Sequence, residues 1–240
     1  MVPAAASARI VTEPVQFPGD GVTVTGFLAH PVTQPPFGAP ALLLLHEWWG
    51  LNEQIKQVAR RFAEAGFAAL APDLYSRQHH AVTDNPQEAA ALMAALSSQW
   101  ALRDLNAATH YLKSQPFVDP LRVGIVGFSM GGMIALNLVG HNSDLKAAVA
   151  FYAKVPPLET VAYQLCPIQF HHAGKDGWVT RKEVDTLRQG FEQTGKSGEI
   201  HIYPDADHGF FNETRPDAHR AQDTALAWER TLAFLRRYLG

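Results

Sequence analysis

The segment Gly127-Phe128-Ser129-Met130-Gly131 constrains the fold of this chain more than any other stretch. It fits the pattern G-x-S-x-G. The β-branched, apolar residues 122–126 precede it and predict a buried strand, and the apolar residues 133–139 follow it and predict a buried helix. A glycine-flanked serine between a strand and a helix predicts a sharp turn that lifts the hydroxyl above the sheet edge. Glycine is needed there because backbone crowds against backbone. Ser129 is therefore the predicted nucleophile.

Composition narrows the class of protein. The chain has 240 residues, of which 47% are hydrophobic and 18% charged, which is typical of a globular protein with a large core. The formal net charge of −3 argues against nucleic-acid or anionic-membrane partners. The single cysteine, Cys166, excludes an intramolecular disulfide and fits a reducing compartment. Residues 1–10 lack the sustained apolar stretch of a signal peptide. We expect a soluble cytoplasmic protein, as a monomer or small homo-oligomer.

Apolar segments of strand and helix character alternate along the chain, which predicts an α/β fold. The sheet is expected to be mostly parallel with helices on both faces, in a single domain spanning residues 1–240. The predicted strands are residues 15–17, 22–28, 41–45, 67–71, 122–126, 147–152, 168–171 and 200–203, and the predicted helices are residues 52–65, 87–95, 101–113, 133–139, 181–193 and 218–239. The gap between the strands ending at 152 and starting at 168 is too short for a large lid. We therefore expect an open or loop-bounded site.

A serine hydroxyl needs a base to take its proton, and the base needs an orienting group. After an elbow of this type, the acid precedes the histidine along the chain. His208 lies in a glycine-containing loop just past a predicted strand and is the expected base. Asp176, between two glycines after another strand, is the expected acid. Asp205 and Asp207 are alternatives, but they are too close to His208 in sequence for the usual reach.

An oxyanion site needs two converging N–H donors. We expect one from Met130, the residue after the serine, and one from Trp48, in the loop after the third strand. Glu47 lies beside that loop donor, where its charge would oppose the oxyanion unless it is turned away or paired. Two interpretations stay open: a structural carboxylate that hydrogen-bonds the loop, or a carboxylate poised near the nucleophile. Trp49 and Phe210 are expected to line the pocket.

Five segments resemble the dienelactone hydrolase family of α/β-hydrolases. They are LLHEWWGLN at residues 44–52, APDLYSR at 71–77, GFSMGG at 127–132, GKD at 174–176 and DHGF at 207–210. The resemblance covers nearly the whole chain and implies an α/β-hydrolase fold without a large cap. It also implies hydrolysis of a small ester or lactone through a nucleophile–His–Asp triad, with no cofactor or metal. By the same resemblance, Glu47 corresponds to a carboxylate that helps to generate the reactive nucleophile.

The sequence departs from the family pattern at two places. Well-studied members have cysteine at the nucleophile position, where this chain has Ser129. A hydroxyl is far less acidic than a thiol and depends on histidine as its base. The family also binds a substrate carboxylate with two arginines. Arg77 matches one of them, but Asn212 stands in the place of the other. Arg77 and Asn212 are thus expected at the substrate with a weakened preference for anions, although Arg77 also fits a solvated loop charge.

The predicted function is hydrolysis of small carboxylic esters or lactones through an acyl-enzyme. A non-catalytic, ligand-binding protein of the same fold is one alternative, and the intact order of Ser129, Asp176 and His208 argues against it. A peptidase or acyltransferase is the second alternative. The lack of an additional substrate-binding domain argues against a peptidase.

Overall fold

The structure, a computed structural model, describes residues 9–240. The prediction about a signal peptide concerns residues that lie almost entirely outside this range. The strands are β1 (Ile10–Pro18), β2 (Thr23–Pro31), β3 (Ala39–Leu45), β4 (Ala68–Pro72), β5 (Val118–Phe128), β6 (Leu145–Phe151), β7 (Ile168–Ala173) and β8 (Gly198–Tyr203). The helices are α1 (Glu53–Glu64), α2 (Pro86–Ala95), α3 (Ser98–Lys113), α4 (Met130–Leu138), α5 (Leu158–Ala162), α6 (Arg181–Thr194) and α7 (Ala221–Leu239). No helix within residues 9–240 is long and apolar enough to cross a membrane.

All eight strands form one sheet in the order β1-β2-β4-β3-β5-β6-β7-β8. The strands from β4 to β8 in this order pair in parallel, while β1 and β2 are antiparallel to their neighbours. The prediction of a mostly parallel α/β sheet is confirmed. Parallel pairing brings the carboxyl ends of the central strands to a single edge, where ligand sites of open α/β sheets form.

The core has two layers because both faces of the sheet are covered. Along β3, Leu43 and Leu45 enter one apolar cluster with side chains of α3, α4 and α6. The alternating Leu42 and Leu44 enter the other cluster, against α1 and α7. This alternation explains why β3 reads as an unbroken apolar run: every residue of a parallel strand is buried on one face or the other. The prediction of helices on both faces is confirmed.

Several element bounds differ from the sequence expectation, and two differences lie next to the Ser129 turn and between β6 and β7. Helix α4 begins at Met130 rather than at residue 133, although it opens with two glycines of low helix propensity. Tertiary packing requires them, since a Cβ on Gly132 would lie 2.7 Å from the Cβ of Ala153. The segment between β6 and β7 also contains the unpredicted short helix α5. At five residues, this helix is far too small to form a cap, as the sequence predicted.

Ser129 occupies the turn between β5 and α4 in a strained conformation, with φ +52° and ψ −114°. A positive φ in a residue with a Cβ is costly and persists only where the surroundings enforce it. Here the Ser129 N–H donates to the Phe151 carbonyl at 2.9 Å, which ties the turn to β6. On the other side, a Cβ on Gly131 would lie 2.6 Å from the Leu45 carbonyl oxygen. The turn is therefore wedged between β3 and β6.

Replacing Gly131 by alanine should force the turn away from β3. We expect Gly131→Ala to lower the free energy of unfolding by about 1–3 kcal/mol, because the added methyl meets backbone that cannot rotate away. Gly140→Ala, at the other end of α4, is the matched control because its Cβ would meet nothing closer than 3.7 Å. Urea unfolding of both variants tests this expectation. Equal free energies of unfolding for the two variants would contradict the close packing of the Ser129 turn against β3.

Candidate active site

Three parallel strands bring the predicted reactive residues to one edge of the sheet. Ser129 directly follows β5, and Asp176 follows β7 after two intervening residues. His208 lies in the loop that follows β8. These strands are separated in sequence but run in the same direction in the sheet, so their carboxyl ends meet. The order of strands therefore gathers side chains that are up to 79 residues apart.

The three side chains form a continuous hydrogen-bonded chain. Ser129 Oγ lies 2.8 Å from His208 Nε2, and His208 Nδ1 lies 2.7 Å from Asp176 Oδ2. With the proton on Nδ1 directed at the carboxylate, Nε2 presents its lone pair to the serine hydroxyl. This is the tautomer that a general base requires. The structure thus brings together the serine, histidine and aspartate named from the sequence.

Asp176 is held in place from its other oxygen. Its Oδ1 accepts the backbone N–H groups of Trp178 at 2.8 Å and Val179 at 2.9 Å. Burial alone would raise the pKa of this carboxyl, but the hydrogen bond and charge of His208, together with the two N–H donors, hold the pKa below its ordinary value. The carboxylate is therefore ionised and fixed beside the imidazole, with its side chain fully buried.

Two aromatic side chains that the sequence analysis missed flank His208. The Tyr152 ring centroid lies 5.0 Å from the imidazole at 66°, and the Trp178 ring lies 5.2 Å away at 90°. Both arrangements are edge-to-face, a favourable geometry for aromatic pairs. Tyr152 has φ +37°, another positive value in a residue with a Cβ. It immediately follows β6, and this strand-end position was the available signal in the sequence.

A cavity of about 210 Å³ opens above the serine. It is lined by Glu47, Trp48, Trp49, Ser129, His208, Gly209, Asn212, Arg215 and Ala218. The lining combines indole surface with one carboxylate, one amide and one guanidinium. A small substrate with a polar end fits such a lining. Within residues 9–240, including this cavity, no group of three or more His, Cys, Asp or Glu side chains is arranged to hold a metal ion.

Trp48, one predicted oxyanion donor, lines this cavity, and Met130, the other, directly follows Ser129. Met130 is the first residue of α4, so the helix itself provides no acceptor for its N–H. Trp48 lies in the cavity wall, and its carbonyl accepts from the Tyr75 hydroxyl at 3.0 Å. In the same loop, His46 Nε2 accepts the Leu74 N–H at 3.1 Å. These bonds fix the loop after β3 against the segment after β4.

Glu47 is buried and bound at both carboxylate oxygens. Tyr152 donates its hydroxyl to Oε1 at 2.9 Å, and Asn212 donates its Nδ2 to Oε2 at 2.7 Å. Burial raises the pKa of this carboxyl, partly offset by the bond from Asn212, the charge of His208 and the bond from Tyr152. Both oxygens are thus engaged by partners other than Ser129, although Glu47 and Ser129 line the same cavity.

Comparison with known proteins identifies the family. The model of the dienelactone hydrolase family matches residues 24–239. The chain belongs to the dienelactone hydrolase family. Protein usf of Aquifex pyrophilus is 34% identical over 237 residues, covering 94% of this chain and 98% of that protein. A Bradyrhizobium sp. protein named "Probable 2-oxo-3-(5-oxofuran-2-ylidene)propanoate lactonase" is 32% identical over 245 residues, covering 98% and 97%.

Structural comparison gives the same family. A crystal structure from Klebsiella pneumoniae subsp. pneumoniae, described as that of a dienelactone hydrolase, matches with a TM-score of 0.88 at 28% identity. The match covers 96% of this chain and all of that one. The α/β-hydrolase fold expected from the sequence is confirmed. Family membership identifies the protein as an enzyme of the ester and lactone hydrolase class.

Arg77 does not reach the cavity of this dienelactone hydrolase family member, and its predicted contact with substrate is corrected. Its guanidinium forms two bonds of 2.8 Å to the Asp104 carboxylate and lies 4.3 Å from the Trp100 ring. All three residues line a separate cavity of about 200 Å³. Asp104 and Trp100 belong to α3, and no local pattern in the sequence indicates that this helix packs beside Arg77. The arginine is therefore occupied by an ion pair.

Phe210 and Asn212 also differ from their predicted roles. Phe210 is fully buried, with its ring 4.8 Å from that of Tyr203 and 5.5 Å from that of Tyr152. It packs beneath the site as part of the core and does not line the cavity. Asn212 does line the cavity, but its amide is bonded to Glu47. Trp49 lines the cavity as expected.

Arg215 is the cavity's guanidinium, and the sequence analysis missed it. Its Cζ lies 5.0 Å from the centre of the Trp49 ring, and Asp217 binds its Nε and Nη2 at 3.0 and 2.7 Å. The hydrogen bond that Arg215 donates to Asp217 raises the pKa of the guanidinium, so the group is a permanent cation. The resemblance to the family pointed only to the fourth position after His208, which is Asn212. A cation seven residues after the histidine was the available signal.

The buried Glu47 charge predicts a pH-dependent stability difference. A carboxyl whose pKa is raised on folding contributes stability at pH values below its unfolded pKa, and that stability is lost as the pH rises through its folded pKa. As the pH rises from 4.5 to 8, we expect the free energy of unfolding of the wild type to fall relative to that of Glu47→Gln. The change in the difference between the two proteins should be about 1 kcal/mol or more. Denaturant unfolding at both pH values measures this difference. The exposed Asp207→Asn should show no such gain, and a constant offset for Glu47→Gln would contradict the burial argument.

Proposed function

We propose that residues 1–240 form a single-domain cytoplasmic hydrolase that cleaves small carboxylic esters or lactones through a Ser129–His208–Asp176 triad. One observation carries this proposal: the Ser129–His208 and His208–Asp176 contacts of 2.8 and 2.7 Å, in that order. Such a relay converts a weakly acidic hydroxyl into a nucleophile because the imidazole accepts its proton during attack. The cytoplasmic assignment is supported by the single, buried thiol of Cys166.

In the acylation step, Ser129 Oγ attacks the carbonyl carbon and His208 Nε2 takes its proton. Asp176 keeps the imidazole in the required tautomer and stabilises the imidazolium as it forms. The tetrahedral oxyanion binds the N–H groups of Met130 and Trp48. Collapse of this intermediate breaks the ester bond, and His208 returns the proton to the leaving oxygen. In a lactone, the leaving oxygen stays attached to the acyl group.

Water then attacks the acyl-enzyme, with His208 as base, and releases the carboxylic acid. The cavity of about 210 Å³ suits a short acyl group better than a long chain. The non-catalytic alternative leaves the fully formed hydrogen-bonded relay without a purpose. A peptidase needs room for chain on both sides of the scissile bond, and the small cavity argues against that reading.

The triad assignment predicts non-additive losses. Ser129→Ala and His208→Ala should each remove nearly all kcat, and the double variant should be little worse because the groups act as a unit. Asp176→Asn should cost on the order of 10⁴ in kcat, by analogy with the serine-protease template. Hydrolysis of p-nitrophenyl acetate measures kcat of each variant, and labelling by a fluorophosphonate tests whether Ser129 is the nucleophile. Additive losses, or an unlabelled Ser129, would disprove the mechanism.

The position of Arg215 supports recognition of a negatively charged substrate group. It is the guanidinium in the lining of the catalytic cavity, whereas Arg77 is paired with Asp104 outside it. The guanidinium of Arg215 is already bound to Asp217, and the Arg215 side chain is 40% exposed. Both facts weaken its pull on a substrate anion relative to a buried arginine. A modest preference for carboxylate-bearing esters or lactones follows.

Arg215→Ala should raise KM for a carboxylate-bearing lactone about three- to tenfold, corresponding to a loss of about 1 kcal/mol. KM for neutral p-nitrophenyl acetate should stay nearly constant. Arg77→Ala is the matched control: it should leave the KM ratio of the two substrates unchanged, because its guanidinium lies in the other cavity. Steady-state kinetics on both substrates separates the two arginines. The reverse pattern would return the anion-binding role to Arg77.

A further inference from the structure

The Glu47 carboxylate is held in one orientation by donors whose direction is fixed. Asn212 Oδ1 accepts the Thr214 N–H at 3.0 Å and the Thr214 hydroxyl at 2.7 Å. The amide of Asn212 is therefore oriented with its NH₂ group towards Glu47, and an NH₂ group can only donate. Tyr152, fully buried, gives its hydroxyl proton to the other oxygen. Glu47 cannot rotate towards Ser129 without breaking both bonds.

This arrangement favours the ionised carboxylate. A protonated Glu47 would need an acceptor for its own proton, and the Asn212 NH₂ offers none. Tyr152 would have to turn its hydroxyl proton elsewhere. Burial works against the charge, and the two direct donors and the nearby guanidinium of Arg215 offset only part of that effect, so the pKa of Glu47 stays above its ordinary value. Above that pKa, Glu47 is a buried negative charge held in one orientation in the wall of the catalytic cavity.

In the same cavity, the reacting group that a negative charge can assist is His208, because it becomes a cation during the reaction. Tyr152 connects the two: its hydroxyl binds Glu47, and its ring lies 5.0 Å from the imidazole. Glu47 and His208 line the same cavity, and the charge of His208 lowers the pKa of Glu47. Asp176 occupies the opposite end of the imidazole, at Nδ1. Tyr152 and Arg215 also interact with Glu47, and Asp207 adjoins His208 in the chain. His172 interacts with Asp176, and Lys154 lies 5.4 Å from the Trp178 ring that contacts His208.

We propose that Glu47 is a positioning residue that acts through His208: its fixed carboxylate stabilises the imidazolium that forms when His208 takes the Ser129 proton. This inference rests on the proposed triad. It assigns to Glu47 a role that a serine enzyme can use, since the base must become a cation in a cavity that two tryptophans help to line. No bond to Glu47 forms or breaks, and the proton stays on His208 until it passes to the leaving oxygen.

Glu47→Gln separates charge from shape. The glutamine can accept from Asn212 with its oxygen and donate to the Tyr152 oxygen with its NH₂, so the contacts are kept while the charge is lost. Removing a negative charge lowers the pKa of a nearby histidine. We expect the His208 pKa, and with it the acid limb of kcat/KM, to fall by about half a unit to one unit. The plateau of kcat/KM should fall about three- to tenfold because the base is weaker.

The pKa of His208 is measured directly by NMR titration of its Cε1–H resonance, assigned by comparison with His208→Gln. Asp207→Asn is the matched control, since it removes an exposed carboxylate adjacent to His208 in the chain. Water screens that charge, so the shift should stay below about 0.2 units. Glu47→Asp keeps the charge but loses the contacts and should retain most of the wild-type His208 pKa. If Glu47→Gln does not fold, Glu47→Ala removes the same charge and should shift the pKa in the same direction.

An unchanged His208 pKa in Glu47→Gln would overturn the proposal, because a merely structural role lowers activity without moving the titration. A loss of activity as complete as that of Ser129→Ala would also overturn it, since Glu47 would then act on the nucleophile itself. Failure of the proposed function is recognised separately. In that case the fluorophosphonate leaves wild-type Ser129 unlabelled, whereas the NMR titration still reports whether Glu47 and His208 interact.

Discussion

The close packing of the Ser129 turn between β3 and β6 sets the geometry of everything above the sheet edge. The serine has a positive φ, and its N–H is bonded to the Phe151 carbonyl. Gly131 brings the start of α4 against the carbonyls of Leu45 and His46. Because His46 begins the loop that contains Trp48, the same contact brings that loop against the start of α4, where Met130 lies. A looser turn would separate the nucleophile from both.

A second level of organisation is the set of side chains that tie neighbouring loops together. Tyr75 and His46 connect the loop after β3 to the segment after β4. Tyr152, at the end of β6, binds Glu47 and contacts the His208 ring. Each tie joins loops from different strands, so no loop at this edge is positioned by its own sequence alone. Buried polar networks of this kind are stable only when each member has its partner, which explains why the tyrosines lie deep beneath the cavity.

The sequence predicted what depends on local pattern and chain order. Apolar periodicity located the strands and helices, and the order of Ser129, Asp176 and His208 along the chain named the residues that the structure brings into contact. It failed where the outcome depends on which elements become neighbours. Arg77 was placed at the substrate because Asp104, its partner from α3, could not be recognised without the packing of that helix. Phe210 was an aromatic two residues after His208, and only the packing against the sheet decides that its ring enters the core. Arg215 was overlooked because its place in the cavity wall depends on the path of the segment after β8, which the sequence pattern does not indicate.

The short connection between β6 and β7 has a consequence for the fate of the acyl group. With only the five-residue helix α5 in that segment, this connection forms no cap, and the acyl group of the proposed acyl-enzyme would stay open to solvent. Whatever small nucleophile the solution contains reaches the ester carbonyl by the same open route. Water is far more concentrated than any added alcohol. A primary alcohol added at molar levels nevertheless reaches the same carbonyl and uses the same base, so it competes with water. Partitioning of the acyl group between acid and new ester is then set by the composition of the medium rather than by a gate in the protein.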